Sequence, residues 1–173
     1  MNLRSLPLLL AITAGLASTA TQAATTGTLR FVGQVNAGTC NLATGDVNRI
    51  ITLPVVKVTD FGSSSAAGVH PFELTADCES DIKNVSFLFT GTPSAGNGTL
   101  FSNTGTSGGT ALQLSHRNIA YIPANGTVAQ RTRQIATSGG KAVLPMHANY
   151  FKTGAAITPG TLVSVVTVSI TYN

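Results

Sequence analysis

Residues Leu162 to Asn173 read L-V-S-V-V-T-V-S-I-T-Y-N, and this alternation decides the fold. Val166, Val168, Ile170 and Tyr172 fall on one parity, with Thr167, Ser169 and Thr171 between them. Side chains of a strand point alternately to its two faces, so four apolar groups share one face and three hydroxyls the other. The pattern predicts a half-buried strand. The sequence supplies no further strand after it, so the expectation is that something else covers its free side.

A candidate cover stands at the other end of the chain. Residues Ala24 to Val35 read A-T-T-G-T-L-R-F-V-G-Q-V, with Gly27, Leu29, Phe31 and Gly33 on a single parity. Before them, Arg4 provides a basic n-region, Leu6 to Leu16 an apolar h-region and Thr21-Gln22-Ala23 a small-residue cleavage site. That combination reads as an export signal, too short to span a membrane, with cleavage after Ala23. The remainder is roughly 150 residues, about one domain, which can bury roughly 70% of its unfolded surface. No other apolar run approaches the length of a spanning helix, so no stable membrane insertion is expected.

Charged residues are only 9% of the chain while hydrophobic residues are 43%, against roughly 25% charged in an ordinary domain. Ample apolar content at low charge argues against disorder, and it suits a β protein that packs against copies of itself with little like-charge repulsion. Without Arg4, nine Lys plus Arg face six Asp plus Glu, a net charge of +3. Those cations (Arg30, Lys57, Arg117, Arg131 and Arg133 among them) are scattered, so no nucleic-acid partner is expected. Cys40 and Cys78 follow an export signal and read as one disulfide. It would close a loop of about 39 residues and contribute roughly 4 kcal/mol by the chain-entropy account.

After residue 24 there is no linker, repeat or helical apolar period, and strand signals recur between turn clusters. Phe31–Val35 leads towards the first strand. Ile50–Val58 is apolar and β-branched but broken by Pro54, which predicts an edge or a strand switch. Gly62–Gly68 reads as a loop. Phe72, Leu74, Ala76 and Cys78 share one parity, followed by Val85, Phe87 and Phe89. The Gly/Ser/Thr/Asn-rich stretch Gly91–Gly109 predicts a mobile or outward-facing region. Two short strands are expected at Ala111–Leu114 and Asn118–Ile122, and an alternating one through Ala142, Leu144, Met146, Ala148 and Tyr150. Six or seven antiparallel strands with a disulfide indicate an immunoglobulin-like sandwich.

The stock for catalysis is thin: six carboxylates, three histidines, no H-E-x-x-H and no P-loop. Asp77, Glu79 and Asp81 alternate and read as a solvated face beside the disulfide. His70, His116 and His147 sit in separate segments and read as surface or strand-end residues. Tyr121 and Tyr150 are candidates for a sugar site, though aromatic fillers of core or surface are commoner. No enzyme activity, cofactor or metal is expected.

The ordered set of segments resembles a family: pilin subunits assembled by the chaperone–usher pathway, close to the type 1 fimbrial major subunit. The features are G-T-L-R-F-V-G at Gly27–Gly33, Cys40, Leu53-Pro54, F-E-L-T-A-D-C at Phe72–Cys78, and L-P-M-H-A-N-Y at Leu144–Tyr150. Pro159-Gly160 and the final strand with penultimate Tyr172 complete the set. The resemblance implies an all-β, incomplete immunoglobulin-like antiparallel sandwich that lacks its last strand and is completed by donor-strand exchange. It implies a signal over 1–23, a donor extension over 24–33 and a pilin domain over 34–173. Gly27, Leu29 and Phe31 would be donor residues, and Val166, Val168, Ile170 and Tyr172 would form the recipient strand. The implied partners are neighbouring pilin subunits, a periplasmic chaperone and an outer-membrane usher, on a route through the periplasm to a cell-surface fimbria that supports adhesion. Two other readings stand beside it: a complete secreted carbohydrate-binding sandwich, and a minor or adaptor pilin.

Overall fold

A computed structural model describes residues 28–117 and 120–173. The expected export signal and Gly27 lie outside the described residues. The chain divides into two units, Met1–Val35 and Asn36–Asn173. In the first, the described residues 28–35 carry no strand, and Leu29, Phe31, Val32 and Val35 are exposed.

The second unit is a two-layer antiparallel sandwich. Its strands are β1 (Cys40–Leu42), β2 (Ala66–Cys78), β3 (Asn84–Gly91), β4 (Thr110–His116), β5 (Ala120–Tyr121), β6 (Thr132–Ala136), β7 (Lys141–Lys152) and β8 (Val166–Tyr172). One sheet has the order β1-β2-β7-β4-β5 and the other β6-β3-β8. Period-two alternation places Phe72, Leu74 and Ala76 of β2 opposite Met146, Leu144 and Ala142 of β7, all buried. From the second sheet Val85, Phe87 and Phe89 meet them, each at most 1% exposed. A bulge interrupts the β2–β7 ladder between Ala67 and His70. Gly68 sits there at φ +63°, where an added Cβ would lie 2.7 Å from Val56 Cγ1, so both conformation and space demand glycine.

Cys40 and Cys78 are opposite each other in the β1–β2 ladder and are joined by a disulfide, with Cys40 buried and Cys78 half-buried. β1 is only three residues long. Such a short edge strand has few ladder bonds of its own, so the covalent tie is what keeps it in register with β2.

Several expectations change. Ile50–Val58 joins no ladder among the described residues: Pro54 lacks an N–H, and the segment runs into a 3-10 turn at Val58–Phe61. Ile51 and Leu53 nevertheless pack against the core, half-buried. The loop expected to reach Gly68 is shorter, because β2 already begins at Ala66. Gly91–Gly109 is not an outward-facing loop, since Leu100 and Phe101 are 1% and 0% exposed. Phe101 exchanges backbone bonds with Leu112 at 2.9 and 3.0 Å. Two adjacent large apolar side chains drove that burial despite their polar surroundings. The sequence reading passed over β6 and the short helix α1 (Val128–Arg131), although Thr127 and Gln130 form a capping box. The final strand runs from Val166 to Tyr172, the span of its alternating apolar parity.

The disulfide can be checked by mass: the purified chain should weigh two protons less than its reduced form. Reduction should lower its denaturation midpoint, in keeping with roughly 2–4 kcal/mol for a typical bridge. Alkylation of both thiols without reductant would contradict the pairing.

Candidate functional site

The three-stranded sheet is covered unevenly. β3 lies in its middle, with Phe87 opposite Ile170, Phe89 opposite Val168, Val85 opposite Tyr172 and Gly91 opposite Val166. Directly opposed residues share a face, so both strands aim these side chains at the same core. On β3 they are sealed. On β8 Val166, Val168 and Ile170 are only half-buried and Tyr172 is 41% exposed. Among the described residues no strand pairs with the other edge of β8. That edge therefore combines unpaired backbone groups with a strip of incompletely covered apolar side chains.

The opposite wall comes from the other sheet. β1 lies close to β8, and Leu42, Ile51, Leu53 and Leu162 are further half-buried apolar groups packed on the same core. The half-covered side chains of β8, with Leu42 of the nearby β1, outline an apolar strip along the β1/β8 side of the sandwich.

The stretch expected to be mobile holds the start of this edge. Thr104 N–H donates to Val163 O at 2.8 Å, and Val163 N–H donates to Asn103 Oδ1 at 2.8 Å. Asn103 also receives Gly105 N–H at 2.8 Å and donates to Ser107 O at 2.9 Å, so one amide organises both segments. At Gly91 an added Cβ would sit 2.7 Å from Phe101 Cδ1 and 3.0 Å from Val165 O, so a side chain there would push β3 away from the approach to β8. At the far end Asn173 N–H donates to Asn84 O at 3.1 Å and Lys83 N–H to Asn173 O at 2.8 Å. β8 is pinned at both ends and along one side.

The other side of the sandwich is closed differently. Arg133 of β6 is opposite Phe87, on the inward parity, and is half-buried. Its Nη2 donates to Tyr121 O at 2.7 Å and Ala120 O at 3.3 Å on β5, while Nη1 donates to Thr132 O at 2.7 Å and Gln130 O at 3.0 Å. Burial draws its pKa below the ordinary guanidinium value. Neighbouring His116 is also held below its ordinary value, chiefly by burial and then by the charges of Arg117 and Arg133.

The remaining chemistry-bearing residues do not converge. Among the described residues no group of three or more His, Cys, Asp and Glu is placed to hold a metal. Asp77 pairs with Lys141, Asp81 accepts from Gly38 N–H at 2.8 Å, and Glu79 accepts from Thr39 Oγ1 at 3.4 Å. His147 is opposite Ser115, while His116 is opposite core residue Met146, so the two imidazoles leave opposite faces of one sheet. Tyr150 is opposite Leu112 and Tyr121 is opposite Ser115, so these tyrosines also lie on opposite faces and form no common platform. The expectation of a chain without G-x-S-x-G is wrong, because Gly105–Gly109 reads G-T-S-G-G. Ser107 there lies in a loop leading into a strand, with Oγ donating to Thr158 O at 3.0 Å, and not on the strand-to-helix turn that exposes a nucleophile.

The model of the family described as fimbrial protein matches residues 24–173. The chain is 32% identical over 142 residues to the type 1 fimbrin D-mannose specific adhesin of Escherichia coli K12, covering 80% of this chain and 41% of that protein. It therefore spans well under half the length of that relative. It is 28% identical over 185 residues to the type-1 fimbrial protein A chain of the same organism, covering 99% of this chain and 100% of that one. Among solved structures it resembles the P pilus rod subunit PapA, at 18% identity and TM-score 0.63, over 78% of this chain and 99% of that chain.

Because His116 resists protonation when folded, the unfolded chain binds that proton more readily. Its contribution to stability is fully present above the ordinary value of 6.5 and is lost as pH falls through 6.5 towards the lower folded value. The denaturation midpoint should therefore fall between about pH 7.5 and about pH 5, and fall less in His116→Gln. Equal pH profiles for the two proteins would refute this.

Proposed function

The chain belongs to the fimbrial protein family, and on that premise we propose how its residues build the fibre. It is a structural subunit of a fimbria, a chaperone–usher pilin with an incomplete immunoglobulin-like fold, polymerised by donor-strand exchange with neighbouring subunits. The proposal assigns the recipient edge to β8, through Val166, Val168, Ile170 and Tyr172. It assigns the donor to residues 24–33 of the next subunit, with Leu29 and Phe31 filling the apolar strip and Gly27 allowing close backbone approach.

One observation carries the assignment: inward side chains are sealed on β3 and half-covered on β8, within the same rows of one sheet. An added strand would pair with the free edge of β8 and shield that strip, while its alternate side chains confer fit. Leu29 is 81% and Phe31 88% exposed, so both have most of their surface left to bury. At roughly 1.5–3 kcal/mol each, they would together contribute roughly 3–6 kcal/mol to every subunit junction. Donor and recipient are different surfaces of one chain, so the contact is head-to-tail and propagates into a filament. Before assembly the uncovered edge is an aggregation hazard. A periplasmic chaperone that lends a strand, and an outer-membrane usher that exchanges it, answer that hazard on the way to the cell surface.

Phe31→Asp should leave chaperone-bound subunit at normal abundance while shortening or abolishing fibres in electron micrographs. Fibres of normal length, or loss of the subunit itself, would identify residues 24–33 as something other than a donor. Tyr172→Ala should act earlier and reduce the periplasmic subunit, because the edge presented to the chaperone is altered. Unchanged fibre yield would count against β8 as the recipient.

A further inference from the structure

The three-stranded sheet has two edges, and one of them bears a charge where the other bears hydrocarbon. In the central row Arg133 of β6, Phe87 of β3 and Ile170 of β8 lie side by side on the inward face. In the next row Ile135, Val85 and Tyr172 do the same. Phe87 is fully buried between an arginine on one flank and an isoleucine on the other. An inward-pointing charge on an edge strand is a recognised means of refusing a further strand. An added strand would cut the guanidinium off from water, and a charge so enclosed is tolerated only when fully paired.

The fork also occupies the space physically. One terminal nitrogen, Nη2, reaches from β6 to the carbonyls of Ala120 and Tyr121 on β5, so the side chain spans the side of the sandwich between the two sheets. Among the described residues Arg133 has no carboxylate partner; the two ion pairs are Arg49–Asp46 and Lys141–Asp77. A strand sliding in beside β6 would break those carbonyl bonds and offer the cation no acid in exchange.

We propose that Arg133 is a specificity determinant of strand addition, restricting it to the β8 edge by closing the β6 edge with an inward charge. The inference rests on the reading of β8 as the recipient. A chain whose two sheet edges both accepted its own donor segment would branch and bundle. One inward arginine makes the subunit singly accepting, which a linear fibre requires.

The test uses assembled fibres and a synthetic peptide copying residues 24–35 that carries a photo-activatable cross-linker. On wild-type fibres the peptide should label only the β8 segment, at the few subunits whose edge is free. Arg133→Met fibres should take up at least about tenfold more peptide, with cross-links on Thr132–Ala136, and should bundle laterally in electron micrographs. Arg133→Lys, which retains the inward charge, should behave as wild type. Peptide uptake by the Met variant within twofold of wild type, with no label on β6, would overturn the inference while leaving the β8 reading intact. Absence of label on β8 in wild-type fibres would instead overturn that earlier reading. If Arg133→Met forms no fibres, Arg133→Gln takes its place. Failure of both neutral variants to assemble would make Arg133 a folding residue and also overturn the inference.

Discussion

Everything distinctive about this subunit depends on β8 having, among the described residues, a ladder on one side only. Its pairing with β3 over seven residues, Val166 to Tyr172, satisfies half of its backbone groups and aims its apolar parity at the core. Among the described residues the same pairing leaves the other half of the backbone without a ladder and part of the apolar surface uncovered. A domain of this size gains most of its stability by burying apolar surface. A strip left half-covered along one side is therefore withheld stability, and under the proposed assembly it would become available when a neighbour's segment arrives.

That arrangement works only if the uncovered strand keeps its shape while it waits. Asn103 holds the approach to β8, and Asn84 holds its end through backbone bonds to Asn173. The disulfide holds β1, on the opposite wall, in register with β2. Each of these ties lies at the border of the strip, where a chain lacking one neighbour is most prone to fray. The polar stretch Gly91–Gly109 thus has a structural task, with Phe101 as its anchor in the core and Asn103 as its contact to the edge.

Charge is arranged with similar economy. With 9% charged residues, the chain offers little electrostatic resistance to close packing against copies of itself. The half-buried Arg131 and Arg133 both use their guanidinium groups on backbone carbonyls and not on a carboxylate, but Arg133 is the one whose bonds reach β5 in the other sheet. The sandwich consequently has two unlike sides: β1/β8 lined by aliphatic groups, and β5/β6 bridged by a guanidinium.

Alternation in the sequence determined the all-β class and the apolar faces of β2, β3, β7 and β8, while two cysteines behind an export signal pointed to the disulfide. Alternation could do so because side-chain direction in a strand follows from the chain's own geometry. The family, too, was legible from an ordered set of short segments. What the sequence could not decide was which side of each strand is covered, since coverage depends on neighbours distant along the chain. Val85, Phe87 and Phe89 look no different in sequence from Val166, Val168 and Ile170, yet only the first three are sealed. Leu100 and Phe101 were hidden by their polar surroundings, and Ile51 and Leu53 looked like a strand but pair with none among the described residues. Arg133 was passed over as one scattered cation, although its alternation with Ile135 was readable. Only the register that sets it beside Phe87, facing inward, turns that cation into the lock on one edge.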